Sequence, residues 1–325
     1  MPRKLNNKLM KKRNLLSIAL CILALSLTLV SCKKNKDSAA SEPAPSSSST
    51  VPTGALKGVF SVSETRKVYF SKGNLQYQAS TNTWRFAEHQ FDFVGDDDAG
   101  NVYENYVKCN NELCSSTYEG WIDLFGWGTS GYDHGAVCYQ PWAASKTYSD
   151  YNPYGSMTSN LFDNNGKADW GANPISNGGN KANKWRTLTH DEWVYLLFER
   201  TTNSDYRFVK VRIGRNNGVI IFPDNWKVSY YEFNSVNEED SDFTDNILTI
   251  IDWEESIESH GAVYLPAAGV REGLAVKWIE HGYYWSSTCF PNGEDAYSFN
   301  FDPKVDPYNN GYRQRTRSVR LVRNK

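Results

Sequence analysis

Short apolar runs bounded by turns, a scarcity of long helical periodicity, and rings and glycines confined to one part of the chain together predict an α+β domain. The expected architecture is small twisted antiparallel sheets, few helices and long irregular loops. The chain has 325 residues with 11 Trp, 20 Tyr, 15 Phe and 23 Gly, and its first 53 residues hold no ring and no glycine. Val68 to Tyr77, a turn at Ser80 to Asn82 and a return at Trp84 to Phe86 predict a first hairpin. From about Asp96 to Lys184 the chain has little periodicity but many rings and glycines. Thr189 and Glu192 have capping-box spacing, and Trp193, Leu196 and Leu197 follow at helical spacing up to Arg200, so a helix is predicted there. Phe208 to Ile213, a turn over Gly214 to Gly218 and Val219 to Phe222 form the clearest hairpin. A second short helix is predicted over Thr249 to Ser259, closed by Gly261. Ala262 to Leu265, Tyr283 to Ser287, Ala296 to Phe301 and Ser318 to Val322 complete the strands. No second linker divides residues 54–325, which are expected to be one domain.

The leader has a different physical character. Arg3, Lys4, Lys8, Lys11, Lys12 and Arg13 precede an apolar stretch from Leu15 to Val30. That stretch is shorter than the roughly 20 residues of a spanning helix, so residues 1–31 read as a secretory signal. Leu29-Val30-Ser31-Cys32 resembles a bacterial lipobox, which implies lipidation of Cys32. Residues 32–53, rich in Ser, Pro and Ala, read as a flexible tether. The expected location is therefore the outer membrane, anchored by lipid. Lys33 and Lys34 after the lipid site leave the periplasmic face and the cell surface both open.

Residues 54–325 carry 26 basic against 35 acidic side chains, a net charge of −9. Phosphate backbones repel such a body, so nucleic acid is not an expected partner. The basic run Arg313, Arg315, Arg317, Arg320, Arg323 and Lys325 has mostly strand spacing and is expected to form internal salt bridges.

Beyond Cys21 and Cys32 the chain has Cys109, Cys114, Cys138 and Cys289. An even number in an exported chain predicts disulfides, with three possible connectivities. The short loop from Cys109 to Cys114 closes easily, which leaves Cys138 with Cys289; closing a loop of about 150 residues would contribute roughly 5 kcal/mol on chain-entropy grounds. Zinc is the competing use, but no second Cys or His pair matches the spacing.

No chemical motif points to an enzyme. Gly126-Trp127-Gly128-Thr129-Ser130-Gly131 has the glycine spacing of a dinucleotide loop, but Tyr132-Asp133-His134-Gly135 and Pro141 follow where a helix is required. The five histidines, at 89, 134, 190, 260 and 281, lie in unrelated contexts, and no hydrolase signature occurs. No cofactor is expected. Asp163 to Asp169 is the best stretch for a structural calcium, but Lys167 interrupts it and no glutamate closes it. The rings of Trp121, Trp127, Tyr132, Tyr139, Trp142, Tyr148, Tyr151 and Tyr154 lie among Gly, Ser, Asn and Pro. Such rings either fill the core of a loop-rich fold or face a sugar or protein ligand.

Trp185-Arg186-Thr187-Leu188-Thr189-His190-Asp191-Glu192-Trp193 resembles a segment of the formylglycine-generating-enzyme-like fold, a C-type-lectin-like architecture. Leu265-Pro266-Ala267-Ala268-Gly269, Tyr283-Tyr284-Trp285-Ser286-Ser287 and Arg317-Ser318-Val319-Arg320-Leu321-Val322 resemble the Fibrobacter succinogenes major paralogous domain and variable proteins of diversity-generating retroelements. The resemblance covers most of residues 54–325 and implies a fold used mainly for binding. Oxidase members use two nearby cysteines; here Cys289 stands with Asp295, and oxidase activity is not expected. The calcium motifs of sugar-binding C-type lectins are absent. By position, the variable ligand-contacting residues of the retroelement relatives correspond to Phe290, Asn292, Glu294, Asp295, Tyr297, Asn300, Asp302, Tyr308, Asn309 and Tyr312. Together with Trp127 and Tyr132 these are the candidate ligand-binding residues of a lipid-anchored envelope protein recognising a glycan or protein. An oxidase-related enzyme and a structural envelope lipoprotein are the alternatives.

Overall fold

The computed structural model describes residues 50–94, 114–301 and 303–325. The signal over 1–31, the lipidation site Cys32, the tether as far as residue 49, the acidic cluster Asp96 to Asp98, Cys109 and the candidate Asp302 lie outside the described residues. Ser49–Lys325 form one compact unit.

The architecture is α+β, with mostly antiparallel small sheets and few helices. One sheet runs in the order Phe60–Ser61, Lys67–Phe70, Leu321–Asn324, Arg186–Thr187, with Val322 opposite Phe70 on one side and Arg186 on the other. A second joins Ile247–Leu248, Phe208–Ile213, Asn216–Ile221 and Val263–Pro266. A third pairs Gly282–Cys289 with Asp295–Phe301, and Val305–Asp306 and Asn310–Tyr312 both pair with the far edge of Asp295–Phe301. Val270–Glu272 lies between Ala275–Lys277 and Arg315–Thr316, and Leu75–Gln78 forms a hairpin with Thr83–Phe86.

Local chemistry explains most of these elements. Thr189 Oγ1 accepts the Glu192 N–H at 3.2 Å and Glu192 Oε2 accepts the Thr189 N–H at 3.0 Å, so the predicted capping box starts the helix His190–Val194. The helix continues as a wider π turn over Tyr195–Glu199, and Trp193, Leu196 and Leu197 from the two segments pack on Phe70, Phe208 and Phe299. The second predicted helix is a π turn over Asp252–Ile257 and a 3-10 turn over Glu258–His260, ended by Gly261 at φ +88°.

Two hairpin expectations need correction. Val68 to Tyr77 is not one strand: the chain breaks after Phe70, where Ser71 Oγ donates to the Gly73 carbonyl at 2.9 Å, and its halves enter different sheets. In the clearest hairpin the turn is Gly214-Arg215, with Gly214 at φ +59°, as a type II′ turn requires. Asn217 and Gly218 belong to the strand, opposite Arg212 and Val211. Gly218 is needed there because the Tyr264 ring occupies the space a Cβ would fill.

The rings mostly pack on one another. Trp127, Trp170, Trp193, Trp226, Trp253 and Trp285 are all fully buried. One core surrounds the helix with Phe60, Phe70, Trp193, Tyr284, Phe299 and Phe301, and a second gathers Trp84, Phe86, Trp127, Trp170, Trp185 and Trp285. The rings thereby replace the aliphatic runs the sequence lacks.

Candidate functional site

The aromatic loops surround a cleft of about 580 Å³. Gly128 and Gly131, at φ +77° and +84°, turn the chain sharply on either side of Thr129-Ser130, so that the two rings of this loop go opposite ways. Trp127 points inward, correcting its candidacy for ligand contact: it is fully buried, donates through Nε1 to the Ser286 carbonyl at 2.9 Å and lies 4.7 Å from the Arg313 guanidinium. Tyr132 points outward and is 36% exposed. It lines the cleft with Trp142, Tyr77, Gln140, Lys167 and Asn173. Lys167 Nζ lies 5.4 Å over the Tyr132 ring, and Trp142 stacks on Tyr77 at 6.1 Å and 21°.

The polar groups of the cleft are held in place from behind. The Asn173 amide donates to the carbonyls of Ser130 and Trp170 at 2.9 and 3.2 Å, which leaves its oxygen as an acceptor. The Tyr77 hydroxyl donates to Asn82 Oδ1 at 3.0 Å, and burial raises its pKa. Oriented amides beside flat rings can satisfy ring hydroxyls while the rings cover C–H faces.

The C-terminal candidates do not form one surface. Alternation along Asp295–Phe301 sends neighbouring side chains to opposite faces. On one face Tyr297 stacks on His190 at 3.9 Å and 18°, Phe290 meets Tyr297 edge-on at 4.9 Å, and the exposed Tyr308 meets His190 at 5.9 Å. Burial lowers the His190 pKa despite Asp191 beside it. On the other face Ser298 and Asn300 hold the Arg317 guanidinium, with Nη1 donating to Asn300 Oδ1 at 2.8 Å. Asn292, Glu294 and Asp295 make the intervening turn: Asn292 Oδ1 accepts the N–H groups of Glu294 and Asp295 at 3.0 Å each, and Asn292 Nδ2 donates to Asp295 Oδ2 at 2.9 Å. Asn309 Nδ2 donates to Asp306 Oδ2 at 3.2 Å, while Tyr312 is 41% exposed. Asn300 is buried with its oxygen bonded to Arg317 and Ser298, and Asp295 is buried with Oδ2 bonded to Asn292 and Oδ1 without a hydrogen-bond partner.

Arg313, Arg317 and Arg320 are buried while Arg323 is half-buried and Lys325 exposed, and in place of the expected salt bridges the partners are mostly neutral. Arg313 donates to the Asp295 and Met157 carbonyls and to Asn152 Oδ1, and Arg320 to Gln90 Oε1 and the Tyr264 carbonyl. Within the run, among the described residues, Arg315 pairs with a carboxylate, Glu272 Oε1 at 3.3 Å. Burial lowers the Arg313 and Arg320 pKa values to about 10; both stay cationic at neutral pH.

The expected Cys138–Cys289 disulfide does not form. Cys138 Sγ lies 4.0 Å from Asp150 Oδ2, and Cys289 Sγ donates to the Thr158 carbonyl at 3.1 Å. Each thiol is fixed by its own loop, and a disulfide would require sulfurs about 2.05 Å apart. Cys114 is described, but its proposed partner Cys109 is not. In the acidic stretch considered for calcium, the buried Asp169 carboxylate accepts from Gly171 N, Thr187 N and Thr187 Oγ1, and Asp163 Oδ2 accepts from Asn160 N. Among the described residues no group of three or more His, Cys, Asp or Glu is placed to hold a metal ion, and no helix is long and apolar enough to cross a membrane.

Sequence reasoning did not single out Lys167, Gln140 and Asn173 in the cleft, nor Trp278 and His281 near the arginine run. Their signal is non-local, since the cleft draws on chain from Tyr77 to Asn183. Comparison with protein-family models, curated proteins and solved structures returned no match to this chain.

Proposed function

We propose that this chain is a lipid-anchored binding protein of the cell envelope, with a C-type-lectin-like body that takes a glycan in the Tyr132 cleft. The observation that carries the reading is the exposed Tyr132 ring beside Trp142, with the amides of Gln140 and Asn173 facing the same open volume. A ring that costs little side-chain entropy to hold, beside the fixed Asn173 amide and the Gln140 amide, suits stacking on a sugar face with hydroxyls bonded at its edge. The lipobox at Cys32 and the tether behind it supply the address. The small antiparallel sheets and long loops agree with the proposed body.

The test is a glycan array probed with the purified chain in detergent, followed by titration of any hit. Binding weakened at least tenfold by Tyr132→Ala and by Trp142→Ala is the expected result. A hit that both variants bind as well as the parent, or an array with no hit, overturns the reading.

A further inference from the structure

A second cavity, of about 320 Å³, lies beside the arginine run and shares no lining residue with the Tyr132 cleft. Its wall includes Arg317, Arg315, Trp278, Asn300 and Asn309. Arg317 is only 4% exposed, and its guanidinium carbon lies 5.0 Å from the Tyr283 ring and 4.6 Å from the Trp285 ring. Its Nη1 is held by Ser298 and Asn300, its Nη2 reaches the Asn310 carbonyl at 3.4 Å, and its Nε is buried without a hydrogen-bond partner. Among the described residues no carboxylate bonds this cation, although the charge of Asp295 favours it from a distance; burial pushes its pKa down to about 9, which still leaves it charged at neutral pH. A buried cation held by neutral partners is costly, and an anion brought close to it offsets part of that cost.

The rim of the cavity adds to this. Arg315 lies 5.4 Å from the Trp278 ring and 5.3 Å from the Tyr312 ring, and its one carboxylate, Glu272, is shared with Lys277. Trp278 is 44% exposed and stands at φ +54°, a left-handed backbone that a bulky side chain rarely adopts. The His281 N–H bonded to the Trp278 carbonyl at 2.9 Å closes the turn that holds it there. The strained turn thus keeps a flat apolar ring at the mouth of a cavity whose wall is cationic and whose remaining polar groups include amides.

We infer that this cavity binds a carboxylate-bearing sugar, such as a hexuronic acid residue of a glycan, with the carboxylate toward Arg315 and Arg317 and the sugar ring against Trp278. Arg317 supplies fixed positive charge, Asn309, whose Nδ2 is held by Asp306, offers its amide oxygen to a hydroxyl, and Trp278 covers one sugar face. The inference extends the glycan reading to a separate subsite, and Tyr132→Ala keeps the two distinguishable.

The probe is glucuronate, titrated against the full chain in detergent and followed by isothermal titration calorimetry, with glucose and acetate as controls. Saturable binding that weakens at least tenfold in Trp278→Ala and in Arg315→Gln, weakens at high salt, and is unchanged in Tyr132→Ala is the expected result. Both substituted side chains are partly exposed, and circular dichroism verifies that the variants fold. Glucuronate that does not bind, or binds equally well to both variants, overturns the site. Glucose binding as tightly as glucuronate overturns the role of the carboxylate, and acetate displacing glucuronate at equal concentration overturns the role of the sugar ring.

Discussion

Arg186 holds Glu192 with both terminal nitrogens, at 2.6 and 2.8 Å, while the same carboxylate accepts the Thr189 backbone N–H. Glu192 is buried, and it joins the strand Arg186–Thr187 to the start of the helix His190–Val194. Replacing Glu192 with alanine removes the carboxylate half of the capping box, keeps the Thr189 Oγ1 bond to the backbone N–H at 192, and leaves Arg186 without its main partner. The expected loss is about 3 kcal/mol, the scale for breaking a buried ion pair, measured by urea denaturation. A loss below about 1 kcal/mol, the size of an ordinary helix cap alone, would show that the pair adds nothing.

Asp123 gives the fold a pH dependence. It is buried, and its carboxylate accepts the Val94 N–H at 2.6 Å. Burial pushes its pKa up to about 7; the Val94 bond and Arg271 oppose the shift, and Cys114 adds to it. An unfolded aspartate titrates near 3.9, so between about pH 4 and 7 the folded chain holds the extra proton. The stability this provides is complete below about pH 4, declines as pH rises through about 7, and then levels off. Asp123→Asn is uncharged throughout, so its stability relative to the parent should rise by roughly 2.6 kcal/mol from pH 5 to pH 8, on a scale of about 1.4 kcal/mol per pH unit. Parallel pH profiles for the two proteins would refute this.

The thiols offer a direct chemical check. Cys138 and Cys289 stand as free thiols, so both should take up iodoacetamide when the chain is denatured without reductant. Peptide mapping that finds either one oxidised in a disulfide would contradict the structure.

Lipidation belongs to the proposed address and can be tested on the full chain in a bacterial host. Labelling with palmitate should be abolished by Cys32→Ala, and label that persists in this variant would remove the anchor from the proposal.

What was legible in the sequence was local. The capping box of Thr189 and Glu192 needs contacts only three residues apart, and Gly261 closes its turn within a few residues. Trp127 and Tyr132 could not be told apart, because both sit among glycines and only the distant Ser286 and Arg313 draw Trp127 inward. The salt bridges expected of the arginine run reduce, among the described residues, to Arg315 with Glu272, and burial is confined to Arg313, Arg317 and Arg320. The run's neutral partners, such as Asn152 for Arg313 and Gln90 for Arg320, lie far away along the chain. The break after Phe70 had a local signal in Ser71-Lys72-Gly73-Asn74, but the sheet each half joins is decided by long-range pairing.

The placement of Leu321–Asn324 between Lys67–Phe70 and Arg186–Thr187 bears on how the protein is made. Positions 70 and 322 are neighbours in that sheet, so the sheet stays open until translation has delivered the chain as far as residue 324. A nascent chain with its aromatic core still uncovered must be shielded from aggregation, and contacts so distant in sequence form slowly. Folding of this sheet therefore finishes only after synthesis of the last strand, and the early strands wait unpaired on that side until then.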